Sequence, residues 1–200
     1  PLRKLVEVHG ADLVRLNMVA SGEGMDDADW KEETVPGFKR LLEFLYRTAQ
    51  SPLLQSAKKA GGNAAGNGAG LSVRNPLVLG REERLLESRL NSCIQQAAPA
   101  FEKMEFRTAV HHGLLQSTHA LRSYLQRVQP PNGSLVRQAV GGIALMAAPF
   151  APHIAEEIRS VLGNEGLLSK ARFPAADATK INASLEQEER VLESILEDVA

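Results

Sequence analysis

From Phe106 to Val128 the apolar positions return every three or four residues. Phe106, Val110, Gly113, Leu114, Ser117, Leu121, Tyr124, Leu125 and Val128 draw one continuous seam of roughly six helical turns. Strands are rarely half that long, so the spacing predicts a long helix from about Glu105 to Val128. Pro130-Pro131-Asn132-Gly133 ends it, because proline neither donates a backbone hydrogen bond nor tolerates the helical turn before it. A helix with one apolar face needs partners. Aromatic residues are only 4% of the 200, so Ala, Leu and Val must fill most of the core, which suits helices packed closely on helices.

The rest of the chain supplies those partners. A short helix is expected before a break at His9-Gly10, then a second from Ala11 to about Ala20, with Asp12 in its first turn where a carboxylate meets the positive end of the helix dipole. Ser21 to Asp27 reads as a loop. Thr34 is the expected cap of an amphipathic helix ending near Gln50, with Phe38, Leu41, Leu42, Leu45 and Ala49 on one side and Lys39, Arg40, Glu43 and Arg47 on the other. Residues 55–75 include five glycines in the ten positions from Gly61 to Gly70 and are expected to form a flexible loop. A helix follows from Pro76 or Gly80 to Ala97, with Leu85, Leu86, Leu90, Cys93 and Ile94 inward. Beyond the long helix, Ser134 is the expected cap of another. Gly141-Gly142 in its middle costs about 1 kcal/mol per glycine, which is tolerated where helices approach closely. Pro152 opens a shorter helix and Gly163 stops it. Ser184-Leu185-Glu186-Gln187 reads as a capping box opening a last helix, with a stripe of Leu185, Leu192, Ile195, Leu196 and Val199. The fold class expected is all-α, a helical bundle with a short helical N-terminal segment.

Composition excludes several classes of function. No run is apolar and long enough to span a membrane. The single cysteine, Cys93, cannot form an intramolecular disulfide and fits a reducing cytosol; its apolar neighbours mark it as a buried small hydrophobe. The first residues hold no signal peptide. They include no initiator Met and start in what reads as the middle of an element, so a piece of a larger protein is expected. The net charge is −1, unevenly spread: residues 184–200 hold six acids against Arg190, a net of −5, while residues 74–128 hold eight Lys/Arg against five Glu.

No catalytic machinery is legible. His111, His112 and His119 share one helix without the three or four converging ligands that a metal needs. The acids around Asp26, Asp27 and Asp29 do not have calcium-loop spacing. The Gly-rich stretch is not followed by the Lys-Ser/Thr of a phosphate loop. Basic residues are the remaining candidates. Arg107, His111 and Arg122 lie along one flank of the long helix, and Arg81 and Arg84 share a face near the start of the preceding one. Arginines so placed can meet phosphates; the competing reading is a solvated face paired with Glu82, Glu87 and Glu105.

Several segments together resemble one family. His9-Gly10-Ala11-Asp12-Leu13-Val14-Arg15 is similar to the Gly-Ala-Asp-x-x-Arg segment that follows the lysine-rich signature loop of class I aminoacyl-tRNA synthetases. Asp27-Ala28-Asp29-Trp30-Lys31-Glu32 resembles the Asp-x-Asp-Trp-Arg-Glu stretch of archaeal and eukaryotic leucyl enzymes. Ser88-Arg89-Leu90-Asn91 and Met104-Glu105-Phe106-Arg107-Thr108-Ala109 match the starts of two helices of that group. Pro149-Phe150-Ala151-Pro152-His153-Ile154-Ala155-Glu156-Glu157 is the most specific, resembling the Pro-Phe-x-Pro-His-x-x-Glu-Glu motif of the anticodon-binding domain shared by leucyl, isoleucyl, valyl and methionyl enzymes. Ala171-Arg172-Phe173-Pro174 stands where the group has Trp-Pro.

The resemblance implies a C-terminal piece of a cytoplasmic leucyl-tRNA synthetase that holds tRNA while a catalytic domain elsewhere in the parent chain carries out ATP-dependent aminoacylation. It implies no catalytic residue, cofactor or metal within this piece, ATP for the parent enzyme, and three parts: 1–33, a junction after the catalytic domain; 34–183, the helical domain; and 184–200, the start of a C-terminal helix or linker. The implied partners are tRNA and the parent's catalytic and C-terminal domains, with no membrane. Arg81, Arg84, Arg89, Arg107 and Arg122 are the expected tRNA contacts, by their position on the long helices. A valyl or isoleucyl origin, or a non-catalytic helical module binding RNA or protein, are the alternatives.

Overall fold

A computed structural model describes residues 2–24, 26–55, 79–164 and 166–199. The expected Gly-rich loop lies outside them from residue 56 onward. The described residues form helices and no strands: α1 (Leu2–His9), α2 (Ala11–Ser21), α3 (Val35–Gln50), α4 (Arg81–Glu102), α5 (Phe106–Val110), a π-helical turn (His111–Gln116), α6 (Ser117–Arg127), α7 (Gly133–Ala147), α8 (Pro152–Val161) and α9 (Ala183–Val199). No helix among them is long and apolar enough to cross a membrane.

The bundle centres on α4, which packs against α5, the π turn and α6. α7 lies against α8, and α3 against both. One core unites them: Leu45, Leu86, Ile94, Leu121, Val140 and Ile143 are each no more than 2% exposed. Leu16 of α2 is fully buried in the same core, so the N-terminal segment is packed into the bundle. Cys93 is buried, and burial pushes its thiol up to about 12, which leaves it unreactive at neutral pH.

Two motif segments turn out to be one device. The Asp12 carboxylate accepts hydrogen bonds from the Ile154 backbone N–H at 2.9 Å and from His153 Nδ1 at 2.7 Å. It thus satisfies a free donor at the start of α8 from the opposite end of the sequence. Arg15 steadies the same carboxylate at 3.2 Å. Gly10, at φ +85°, makes the bend that brings α2 to this position. Glu23 does the same for α5, accepting from Thr108 N at 2.9 Å and from its hydroxyl at 3.0 Å. Buried Asn17 holds residues 31–34 through Lys31 N, Lys31 O and Thr34 Oγ1.

Several local expectations are corrected. Thr34 does not cap α3 with its side chain; its hydroxyl serves Asn17 and Lys31 O. Asn132, not Ser134, caps α7, accepting from Ser134 N and Leu135 N, because Asn132 is extended while Ser134 is already inside the helix. At the start of α9 Asn182, not Ser184, accepts from Leu185 N, and Glu186 accepts from the Ser88 and Ser92 hydroxyls. α4 runs past Ala97 and through Pro99 to Glu102. Its last turn is held by Phe101, which stacks on Phe150 at 5.1 Å and meets Phe173 edge-on at 5.0 Å. The close helix crossing lies at Gly113, where a Cβ would stand 3.3 Å from Met146 Cβ and 3.5 Å from Ala97 Cβ, whereas at Gly141 it would meet only Leu162, at 3.8 Å.

Candidate nucleic-acid interface

The structure divides the five candidate arginines into two groups. Arg81 and Arg89 face α9. Arg81 Nη1 lies 3.1 Å from Glu189 and 2.9 Å from Glu82, with Glu188 at 3.8 Å. Arg89 meets Glu193 at 3.0 Å. Arg127, which sequence reasoning did not single out, joins the network through Glu189 and Glu82. The Glu189 side chain is fully buried. Burial pushes its carboxyl up, but hydrogen bonds and charge from Arg127 and Arg81 outweigh that and hold it below the ordinary carboxylate range. The acidic tail therefore neutralises bases of its own chain. The expected apolar stripe of α9 is only partly its inward face: Leu185 is buried, but Leu192 and Ile195 are about half exposed, while Glu186 and Glu189 are buried.

Arg84, Arg107 and Arg122 are exposed and make no ion pair among the described residues. Arg122 has a built environment. Its guanidinium lies over the Phe44 ring, 4.7 Å from the centroid, a geometry that orients the cation and leaves its N–H edge to solvent. Beside it a groove of about 490 Å³ runs between α3 and α6, lined by Arg40, Glu43, Phe44, Arg47, Thr48, Ser51, Leu53 and Leu125. Arg40 and Arg47 stand on its α3 wall; Arg47 touches Glu43 only at 4.0 Å, on the surface, where such a pair contributes little. The segment after α3 is held by Arg137, which donates to Leu54 O at 3.3 Å and also to Leu162 O.

The helical spacing that put Arg40 and Arg47 on the polar side of α3 was the available signal for this wall. The facing of Arg122 onto Phe44 was not legible, since it joins residues 78 positions apart in the sequence. The groove can receive a phosphate-bearing strand: Arg40 and Arg47 on its wall and Arg122 beside it outnumber Glu43, the carboxylate in its lining, over a partly apolar floor. Among the described residues no three of His, Cys, Asp or Glu converge as metal ligands.

Comparison with known proteins agrees with this architecture. The family model described as the anticodon-binding domain of tRNA ligases matches residues 83–200, from α4 to the end of the chain. The leucine–tRNA ligase of Pyrococcus horikoshii is 29% identical over 198 residues, covering 97% of this chain and 19% of that protein. That of Aeropyrum pernix is 31% identical over 204 residues, covering 98% and 19%. The bacterial enzyme of a Geobacter species is 29% identical over 178 residues, covering 88% and 20%. The chain thus spans about a fifth of the length of these relatives. A solved ternary complex of an Agrobacterium radiobacter LeuRS with tRNA and LeuAMS shares the fold at TM-score 0.72 and 18% identity, over 90% of this chain and 21% of that one. With more than half of its residues matched by the family model, the chain belongs to the anticodon-binding domain family of tRNA ligases.

Proposed function

We propose that this chain is the tRNA-holding part of a leucine–tRNA ligase, acting on the body of a leucine tRNA while a catalytic domain elsewhere in the parent protein activates leucine with ATP and transfers it to the terminal ribose. The observation that carries the reading is the α3–α6 groove, where Arg40 and Arg122 make no ion pair among the described residues and Arg47 only a surface one with Glu43, all three around Phe44. Relatives named as leucine–tRNA ligases match along nearly the whole chain, which favours leucine.

On this reading Arg122, Arg107 and Arg84 touch tRNA directly, with Arg40 and Arg47 added. Arg81 and Arg89 keep α9 in place, and would meet tRNA only if α9 opened. Residues 1–33 serve as the junction after the catalytic domain, residues 34–183 as the tRNA-holding domain, and residues 184–200 as the lead into a further C-terminal part. The parent works in the cytoplasm, where tRNA is charged.

Binding to leucine, valine and isoleucine tRNA transcripts at low salt tests the proposal. Leucine tRNA is expected to bind at least as tightly as the other two, with affinity falling steeply as salt rises. Tighter binding of valine or isoleucine tRNA would reassign the amino acid, and no salt-sensitive binding to any of them would overturn the proposal.

A further inference from the structure

A phosphate alone has no use for Glu43. Arg40 and Arg47 line the α3–α6 groove one helical turn to either side of it, and Glu43 lines it with them. A carboxylate between two guanidinium groups subtracts from the attraction for a phosphate strand. The Glu43 side chain is 46% exposed, and its one ion pair among the described residues is the 4.0 Å approach to Arg47. It makes no hydrogen bond among those residues, so its oxygens are open to a ligand.

The floor is a second mismatch with a bare phosphate. Phe44, Leu53 and Leu125 pack on the core but are only partly buried, and all three line the groove. A phosphodiester gains nothing from them, whereas a nucleobase has an apolar face to lay on such a surface. The groove volume of about 490 Å³ falls in the range of sites that hold a small organic molecule, roughly 300–1,000 Å³. Room, apolar floor and flanking cations together fit a nucleotide that has left its helix, base on the floor and phosphates toward Arg40 and Arg47.

The carboxylate then decides which base. An ionised Glu only accepts, through two oxygens. The Watson–Crick edge of an unpaired base is free to be read. On guanine that edge carries two adjacent donors, N1–H and the N2 amino group. Adenine and cytosine each offer one donor beside an acceptor, and uracil offers one donor between two carbonyls. Guanine alone meets both carboxylate oxygens with a donor. We propose that the α3–α6 groove is a site for an unpaired guanine of bound RNA, with Glu43 as the residue that selects it, a reading that rests on the tRNA-holding role above. Arg122, over the Phe44 ring, adds positive charge beside the floor.

The test titrates the full chain with four 5′-phosphorylated RNA trinucleotides, UGU, UAU, UCU and UUU, which carry the same charge and differ only in the central base. The wild type is expected to bind UGU about five- to tenfold more tightly than the other three, the lower end of what a bidentate base contact discriminates. Glu43→Gln, a surface change that keeps the fold, replaces one of the two acceptors by a donor. It should bring all four within about twofold, with the three others bound no more weakly than by the wild type. Equal binding of the four by the wild type, a guanine preference that survives in Glu43→Gln, or no trinucleotide binding beside salt-sensitive binding of leucine tRNA overturns this site alone. No salt-sensitive binding of tRNA either overturns the tRNA-holding role with it.

Discussion

Arg81 and Glu189, 108 residues apart in sequence, are joined by a 3.1 Å hydrogen bond that fastens α9 to the start of α4. Glu189 is fully buried, whereas Arg81 and its companion Arg127 are each about a third exposed, at 38% and 34%. Removing different ends of the network should therefore have different effects. Glu189→Ala releases two arginines that can turn to water, at a cost of about 1–2 kcal/mol. Arg81→Ala with Arg127→Ala strands a buried carboxylate and should cost about 3–5 kcal/mol. Urea midpoints at constant slope measure both; equal losses would contradict the asymmetry.

The same carboxylate predicts a pH dependence. Its pKa in the folded chain is depressed by Arg127 and Arg81 despite burial. Its stabilisation is therefore complete above the ordinary carboxylate value of about 4.3 and is lost as pH falls through the lower folded value. Below pH of about 4, the urea midpoint of the wild type should drop more steeply than that of Glu189→Gln. Parallel acid profiles for the two proteins would show that Glu189 does not titrate as described.

Gly113 and Gly141 should respond oppositely to the same substitution. Gly141→Ala places its methyl at ordinary contact distance from Leu162 and should stabilise by about 0.5–1 kcal/mol through helix propensity. Gly113→Ala presses on Met146 and Ala97 and should be destabilising by roughly 1 kcal/mol. Thermal unfolding of both variants checks the sign, and a stabilised Gly113→Ala would refute the close crossing.

Asp12→Ala should lower stability by about 1–2 kcal/mol, as expected for a lost helix-start acceptor, because Ile154 N–H is left without its partner. His153→Ala should cost much less, since the His153 side chain is 74% exposed. Equal effects would place the weight on the histidine.

How much of this was legible in the sequence depended on range. Helical periodicity located α2, α3, the helix beginning near Arg81 and the long seam ending before Pro130, because each is decided by residues three and four apart. The π turn was not visible, since the seam from Phe106 to Val128 reads as an unbroken α-helix. The capping residues failed for a related reason: Thr34, Ser134 and Ser184 all have the right chemistry, and their neighbours decide which oxygen is used. In the candidate interface, sequence singled out Arg122 and put Arg40 and Arg47 on the polar side of their helix. It could not separate Arg122 from Arg81 and Arg89, because that distinction depends on where an acidic helix a hundred residues later comes to lie.

The central claim is that the α3–α6 groove holds tRNA while the arginines under α9 do not. The most direct measurement is the salt dependence of leucine tRNA affinity for the wild type, for Arg40→Glu with Arg122→Glu, and for Arg89→Ala. The groove variant should bind roughly tenfold more weakly, and its plot of log affinity against log salt should be flatter by about 1–2, while Arg89→Ala keeps the wild-type slope. A groove variant with unchanged affinity and slope, or a flattened slope in Arg89→Ala alone, would contradict the account.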